Sequence, residues 1–157
     1  MPSKSKQSGS NVKPNIPATI LNAFLADSYV LMGKTHACHW NATGPNFFGL
    51  HKLTEAQYDE LFEAVDVLAE RVRAIGGQAP NGLASMVELA TLEPATPEFD
   101  TVSVTTMLAE DNTAMATHAS EAAEEMEAAG DLASHDILVA RIAAHEKAAW
   151  LLRSHIG

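Results

Sequence analysis

The chain has 157 residues, a net charge of −10 and one cysteine. That length suits one domain with a sizeable core, and the lone Cys38 excludes an internal disulfide and fits a reducing cytoplasm. No run reaches the 18 or more apolar residues of a membrane span, and MPSKSKQSGS lacks the apolar stretch of a secretory signal; a cytoplasmic location with no membrane partner is expected.

Residues 1–14 are rich in Ser, Lys, Gly and Pro, which predicts a flexible basic tail carrying Lys4, Lys6 and Lys13 and no acid. Such a tail suits contact with phosphates, or serves only as a solubilising terminus. The domain proper is expected over residues 15–157. Apolar positions from Ile20 to Met32 recur at helical spacing and predict a first helix over 16–41, with Pro17 in its opening turn. Gly44-Pro45 ends it. Asn46 is the expected N-cap of a second helix over 47–75, closed by Gly76-Gly77. A long connection from Gln78 to Asp100 holds Pro80, Pro94 and Pro97, with a short helix over 83–90. A third long helix is predicted over 101–128, broken by Gly130, and a fourth over 132–155. The fold class is all-α: a ferritin-like four-helix bundle with one long crossover that carries a short helix.

Between Glu55 and Asp136 the chain carries 18 acids against Arg71 and Arg73. An acidic body of this kind repels nucleic acid and attracts cations. Within it, His39, His51, Glu55, Asp66 and Glu70 supply imidazole and carboxylate without thiolate, a ligand mix suited to iron. His51 and Glu55 are four apart on one helix face, and so are Asp66 and Glu70. The Gly-Pro turn brings His39 back toward His51. Asp66 lies 15 residues beyond His51, roughly 22 Å along a helix, too far to share one metal within one chain. Either the two groups are unrelated, or a two-fold related copy brings its Asp66 and Glu70 to this chain's His39 and His51. The Glu-x-x-His motifs of an in-bundle di-iron site are absent, which favours the second reading. Taken singly, each residue has a plainer explanation: a hydrogen-bonded core histidine, or a solvated carboxylate paired with Lys52, Arg71 or Arg73. Cys38 is assigned no chemistry.

The blocks His39-Trp40-Asn41, Gly44-Pro45-Asn46-Phe47-Phe48, Leu50-His51, Tyr58, Asp66, Ala69-Glu70-Arg71 and Gly76-Gly77 resemble those of the Dps family, the mini-ferritins named as DNA-binding proteins from starved cells. The likeness spans most of residues 15–155. It implies a hollow twelve-subunit shell with two equivalent centres at each two-fold interface, each centre taking two irons held by His39, His51 and Glu55 of one subunit and Asp66 and Glu70 of its mate. The family often has Asp where this chain has Glu55. The implied activity is a ferroxidase that oxidises Fe(II), preferably with hydrogen peroxide rather than dioxygen, stores ferric mineral and so protects DNA. Trp40 beside a ligand is then an electron donor or a packing residue. His36, one turn before His39, is an additional metal contact or simply a hydrogen-bonded side chain. Asp131 and Asp136, by the last turn, are the candidates for acids lining iron-admitting pores. DNA binding through Lys4, Lys6 and Lys13 is a possible inheritance. The competing reading is a nucleoid-structuring protein with a vestigial or non-iron metal site.

Overall fold

The computed structural model describes residues 15–95 and 99–157. The expected tail over residues 1–14, with Lys4, Lys6 and Lys13, lies outside the described residues. Among the described residues five helices follow one another: α1 (Ile16–Asn41), α2 (Phe47–Ala74), α3 (Leu83–Leu89), α4 (Thr101–Ala128) and α5 (Leu132–Ile156). α1 pairs with α2 and α4 with α5 as two hairpins, and the short α3 rides in the crossover against α1.

The boundaries follow from local chemistry. Asn15 caps α1 by accepting from Ala18 N, Asp100 caps α4 through Ser103 N at 2.8 Å, and Asp131 caps α5 through Ser134 N at 3.1 Å. Asn46 bears out the expected N-cap assignment, with one qualification of chemistry. It occupies the cap position of α2, but its side chain makes no cap hydrogen bond. The turn is instead closed by backbone: Phe47 N donates to Gly44 O at 3.1 Å, with Gly44 at φ 104°.

The α2 end requires its glycines. Gly76 sits at φ 83°, and Gly77 N donates back to Val72 O at 2.9 Å. A Cβ on Gly77 would lie 2.5 Å from the Ala18 Cβ and 2.9 Å from the Val72 Cγ1. This close approach lets α1 begin against the end of α2, where Asn15 Nδ2 donates to Ile75 O and Asn22 Nδ2 to Gln78 O. Gly77→Ala should therefore lower stability by about 1–3 kcal/mol through overpacking. A urea midpoint equal to wild type at the same protein concentration would contradict that.

The crossover is stapled to α1 by buried charge. The Asp27 carboxylate accepts from Thr91 N, the Thr91 hydroxyl and Leu92 N, and Lys34 donates to Glu93 O while pairing with Asp111 at 2.6 Å. α1 is apolar enough by composition to cross a membrane, with mean hydropathy 1.3 in its best window. That apolarity has a use within the bundle: Leu21, Leu25 and Leu31 are fully buried in the core beside Leu50, Leu68 and Leu108. Buried alanines on α4, among them Ala109, Ala119 and Ala123, allow α5 to pack closely.

One polar network runs through this core. Arg141 on α5 makes a two-pronged pair with Glu60 on α2 and donates to His145 Nε2 at 3.3 Å. The His145 Nδ1–H faces the Asn112 carbonyl oxygen on α4 at 2.9 Å. Burial, helped by the Arg141 charge, pushes His145 down to about 3. An unfolded histidine titrates near ~6.5. Between those values the unfolded chain binds more protons, so His145's contribution to stability is intact above about 6.5 and is lost as pH falls toward 3. His145→Gln should flatten the loss of stability between about pH 6 and 4. Parallel pH slopes for the two proteins in urea melts would refute this.

Candidate metal centre

His39 lies in the last turn of α1 and His51 in the second turn of α2, and the short turn between them folds one onto the other. Their rings stack with centroids 3.8 Å apart and planes 17° apart. Each imidazole is aimed by the other's backbone: His39 Nδ1 faces His51 O at 2.9 Å, and His51 Nδ1 faces His39 O at 3.0 Å. A carbonyl can only accept, so both Nδ1 atoms carry the proton. Both Nε2 atoms are then left with a lone pair, the form in which neutral imidazole binds a metal. Thr54 is hydrogen-bonded to Leu50 O and abuts His39 Nδ1 at 3.5 Å, which backs the ring.

Glu55 follows His51 by one turn of α2. It pairs with Lys52 at 2.5 Å and is partly exposed. The Lys52 hydrogen bond holds its carboxyl below the ordinary value. Desolvation opposes that, while the Lys52 charge lowers it further. Glu55 is thus an ionised carboxylate within electrostatic reach of both imidazoles.

Asp66 and Glu70 stay apart from this group, exposed on the far half of α2. Among the described residues no group of three or more His, Cys, Asp or Glu side chains gathers tightly enough to hold a metal within one subunit. His51, Glu55, Asp66 and Glu70 nevertheless share one face of α2, within an arc of about 100° at ~100° per residue. Phe62, midway along that face, is 66% exposed, an apolar ring with no cover from its own subunit.

The remaining candidates are placed as follows. His36 stacks on Trp40, with centroids 5.1 Å apart, and lies tilted against Tyr58, with centroids 4.0 Å apart. Tyr58 meets His39 edge-on at 5.2 Å, so Trp40, His36, Tyr58 and His39 form one aromatic chain. In the sequence Tyr58 carries part of the family resemblance but no assigned contact, and the register of α1 against α2 is what brings it here. Trp40 is 69% exposed. Asp131, a candidate pore acid, is engaged by side chains of its own chain. It caps α5, accepts from the Ser134 hydroxyl at 2.6 Å and pairs with Arg71 at 2.5 Å. Burial pushes its carboxyl up, but the Ser134 and Arg71 interactions outweigh that and leave it below the ordinary value. Asp136 remains free of such ties, with only His135 at 3.3 Å and an almost fully exposed side chain. Cys38 is buried, its thiol pushed up by desolvation.

The family model described as a ferritin-like domain matches residues 18–157. The chain is 35% identical over 139 residues to the DNA protection during starvation protein of Brevibacillus brevis, covering 88% of this chain and 93% of that one. It is 37% identical over 144 residues to an uncharacterized low temperature-induced protein of Nostoc, covering 87% and 78%. The crystal structure of a Dps protein from Bacillus brevis superposes with a TM-score of 0.86 at 34% identity, covering 90% of this chain and 95% of that one.

Proposed function

The chain belongs to the ferritin-like family and, within it, to the Dps proteins, and from that premise we propose that it oxidises Fe(II) at centres shared between two-fold related subunits and stores the ferric product. The observation that carries the reading is the stacked His39–His51 pair, both Nδ1 atoms capped by carbonyls and both Nε2 atoms available. Iron is here the substrate. His39, His51 and Glu55 would bind it from one side, and Asp66 and Glu70 of the neighbouring subunit from the other.

The spacing on α2 supports the shared arrangement. The pair His51 and Glu70 and the pair Glu55 and Asp66 are centred at the same point, between Glu60 and Leu61. A two-fold axis beside that point sets an antiparallel α2 against this one and meets both pairs at once. The same contact would cover Phe62. Combined with three-fold contacts between such dimers, this interface would close a twelve-subunit shell whose interior holds the mineral.

The chemistry we assign is a two-electron step. Two Fe(II) ions each give up one electron. Hydrogen peroxide takes both electrons and two protons, its O–O bond breaks, and two waters result. Pairing the irons avoids one-electron cleavage to hydroxyl radical, which is how such a protein would protect DNA in a bacterial cytoplasm. The chain of rings from His39 through Tyr58 and His36 to Trp40 offers stray oxidising equivalents a path away from the centre. The test is anaerobic Fe(II) titration of the assembled protein followed by peroxide. Two irons oxidised per peroxide, much faster than free Fe(II), is the expected result; a rate equal to that of free Fe(II) would sink the proposal.

A further inference from the structure

A groove of about 1030 Å³ runs between α1 and α4, far along both helices from the His39–His51 pair. One wall is apolar, with Ile16, Ile20 and Phe24; the other carries Glu121, Glu124 and Glu125. A second hollow of about 490 Å³ continues it and shares Ile16, Ile20 and Glu125. Asn15 and Pro17 line this continuation, so the polypeptide enters the helix at the mouth of the groove. The far end is closed by Thr91, His118 and the buried Asp27, whose carboxylate is already engaged by the crossover. Glu121, Glu124 and Glu125 are exposed and have no cationic partner among the described residues.

We propose that the groove is the seat of the chain's own residues 4–14, docked with Lys13 beside Glu124 and Glu125, Val12 on Ile16 and Ile20, and Lys6 toward Glu121. Three observations converge on this occupant. The charges complement: the segment has Lys4, Lys6 and Lys13 and no acid, facing three carboxylates. The apolar wall meets Val12 and Pro14, which precede Asn15 directly. The reach is ample. The groove follows about ten residues of α4, roughly 15 Å, whereas eight extended residues span up to ~26 Å. Tethering at Asn15 supplies a high effective concentration that a free basic peptide lacks. Docking places the lysines on the protein's own carboxylates instead of on external phosphates, so that added salt first frees the segment before it weakens phosphate contacts.

The experiment uses the assembled full-length protein and trypsin, with intact-mass readout of cleavage after Lys4 and Lys6; Lys13 precedes Pro14 and resists the enzyme. A segment docked nine-tenths of the time is cut about tenfold more slowly than a free one. At about 20 mM salt the wild type should be cut slowly, and at about 500 mM salt quickly. Glu121→Gln/Glu124→Gln/Glu125→Gln, all at exposed positions, should be cut quickly at both. Equal rates for wild type and variant at low salt would overturn the proposal. If both are slow, the segment is held elsewhere, by a neighbouring copy or another face; if both are fast, it is not held at all. No step involves iron, so the outcome is independent of the ferroxidase reading.

Discussion

His39→Ala and Asp66→Ala shells should each lose about a hundredfold or more of peroxide-driven Fe(II) oxidation, and shells reassembled from an equal mixture of the two should recover about a quarter of the wild-type rate. The quarter follows from the two-fold arrangement. Random mixing makes half of the subunit pairs heterotypic. In each such pair one centre combines both defects, while the other combines an intact His39 with an intact Asp66. Half of the centres in half of the pairs are therefore whole. If His39 and Asp66 instead served one site built within a single subunit, every centre of a mixed shell would carry one of the two defects and mixing would recover nothing. The measurement is the initial rate in stopped flow, with the reassembled shells checked for size. Fast oxidation by either variant alone would contradict the assignment outright.

Glu60→Ala is expected to cost about 2–4 kcal/mol of stability, more than Arg141→Met at the other end of the same pair. Arg141 is buried, whereas the Glu60 side chain is about half exposed. Removing Glu60 leaves a guanidinium in the core with only His145 and no carboxylate, while its own Nε already lacks a partner. Replacing Arg141 by an apolar side chain of similar length removes the buried charge and returns Glu60 to water. The half-exposure of Glu60 is why the cost sits below that of a fully enclosed pair. Urea denaturation of the assembled proteins at equal concentration decides the order, and a larger loss for Arg141→Met would reverse the interpretation.

The helices were legible because their ends carry local chemistry. Pro17, Gly76-Gly77 and Gly130 act within a few residues of themselves, and a window of sequence holds the whole cause. The bounds differ from the expected ones by a residue at the ends of α2, α3 and α5. Asn46 stands at the N-cap as expected, yet its side chain is not used there, because the backbone of Gly44 closes the turn. The proximity of His39 and His51 was also readable, because only a Gly-Pro turn separates their helices. The mutual Nδ1–carbonyl bonds were not, since they depend on the rotation of α1 against α2. The Glu60–Arg141–His145–Asn112 network was invisible for a stronger reason. Its members lie on three helices, with bonded partners up to 81 residues apart, and each alone reads as an ordinary polar position. Asp131 shows the converse: an acid in a run of acids reads as a free charge until Arg71 and Ser134 are seen to occupy it.

The carbonyl of His39 lies in the final turn of α1, where intrahelical donors run out. Thr43 N turns away to the Thr101 hydroxyl, and the donor that reaches His39 O is the His51 ring. One imidazole thus finishes a helix and stands ready for a metal with the same orientation. Folding the hairpin and building the ligand pair are one event, so the rings need no ion to teach them their places. Amide exchange at the end of α1 should then report on the readiness of the centre in protein that has never met iron.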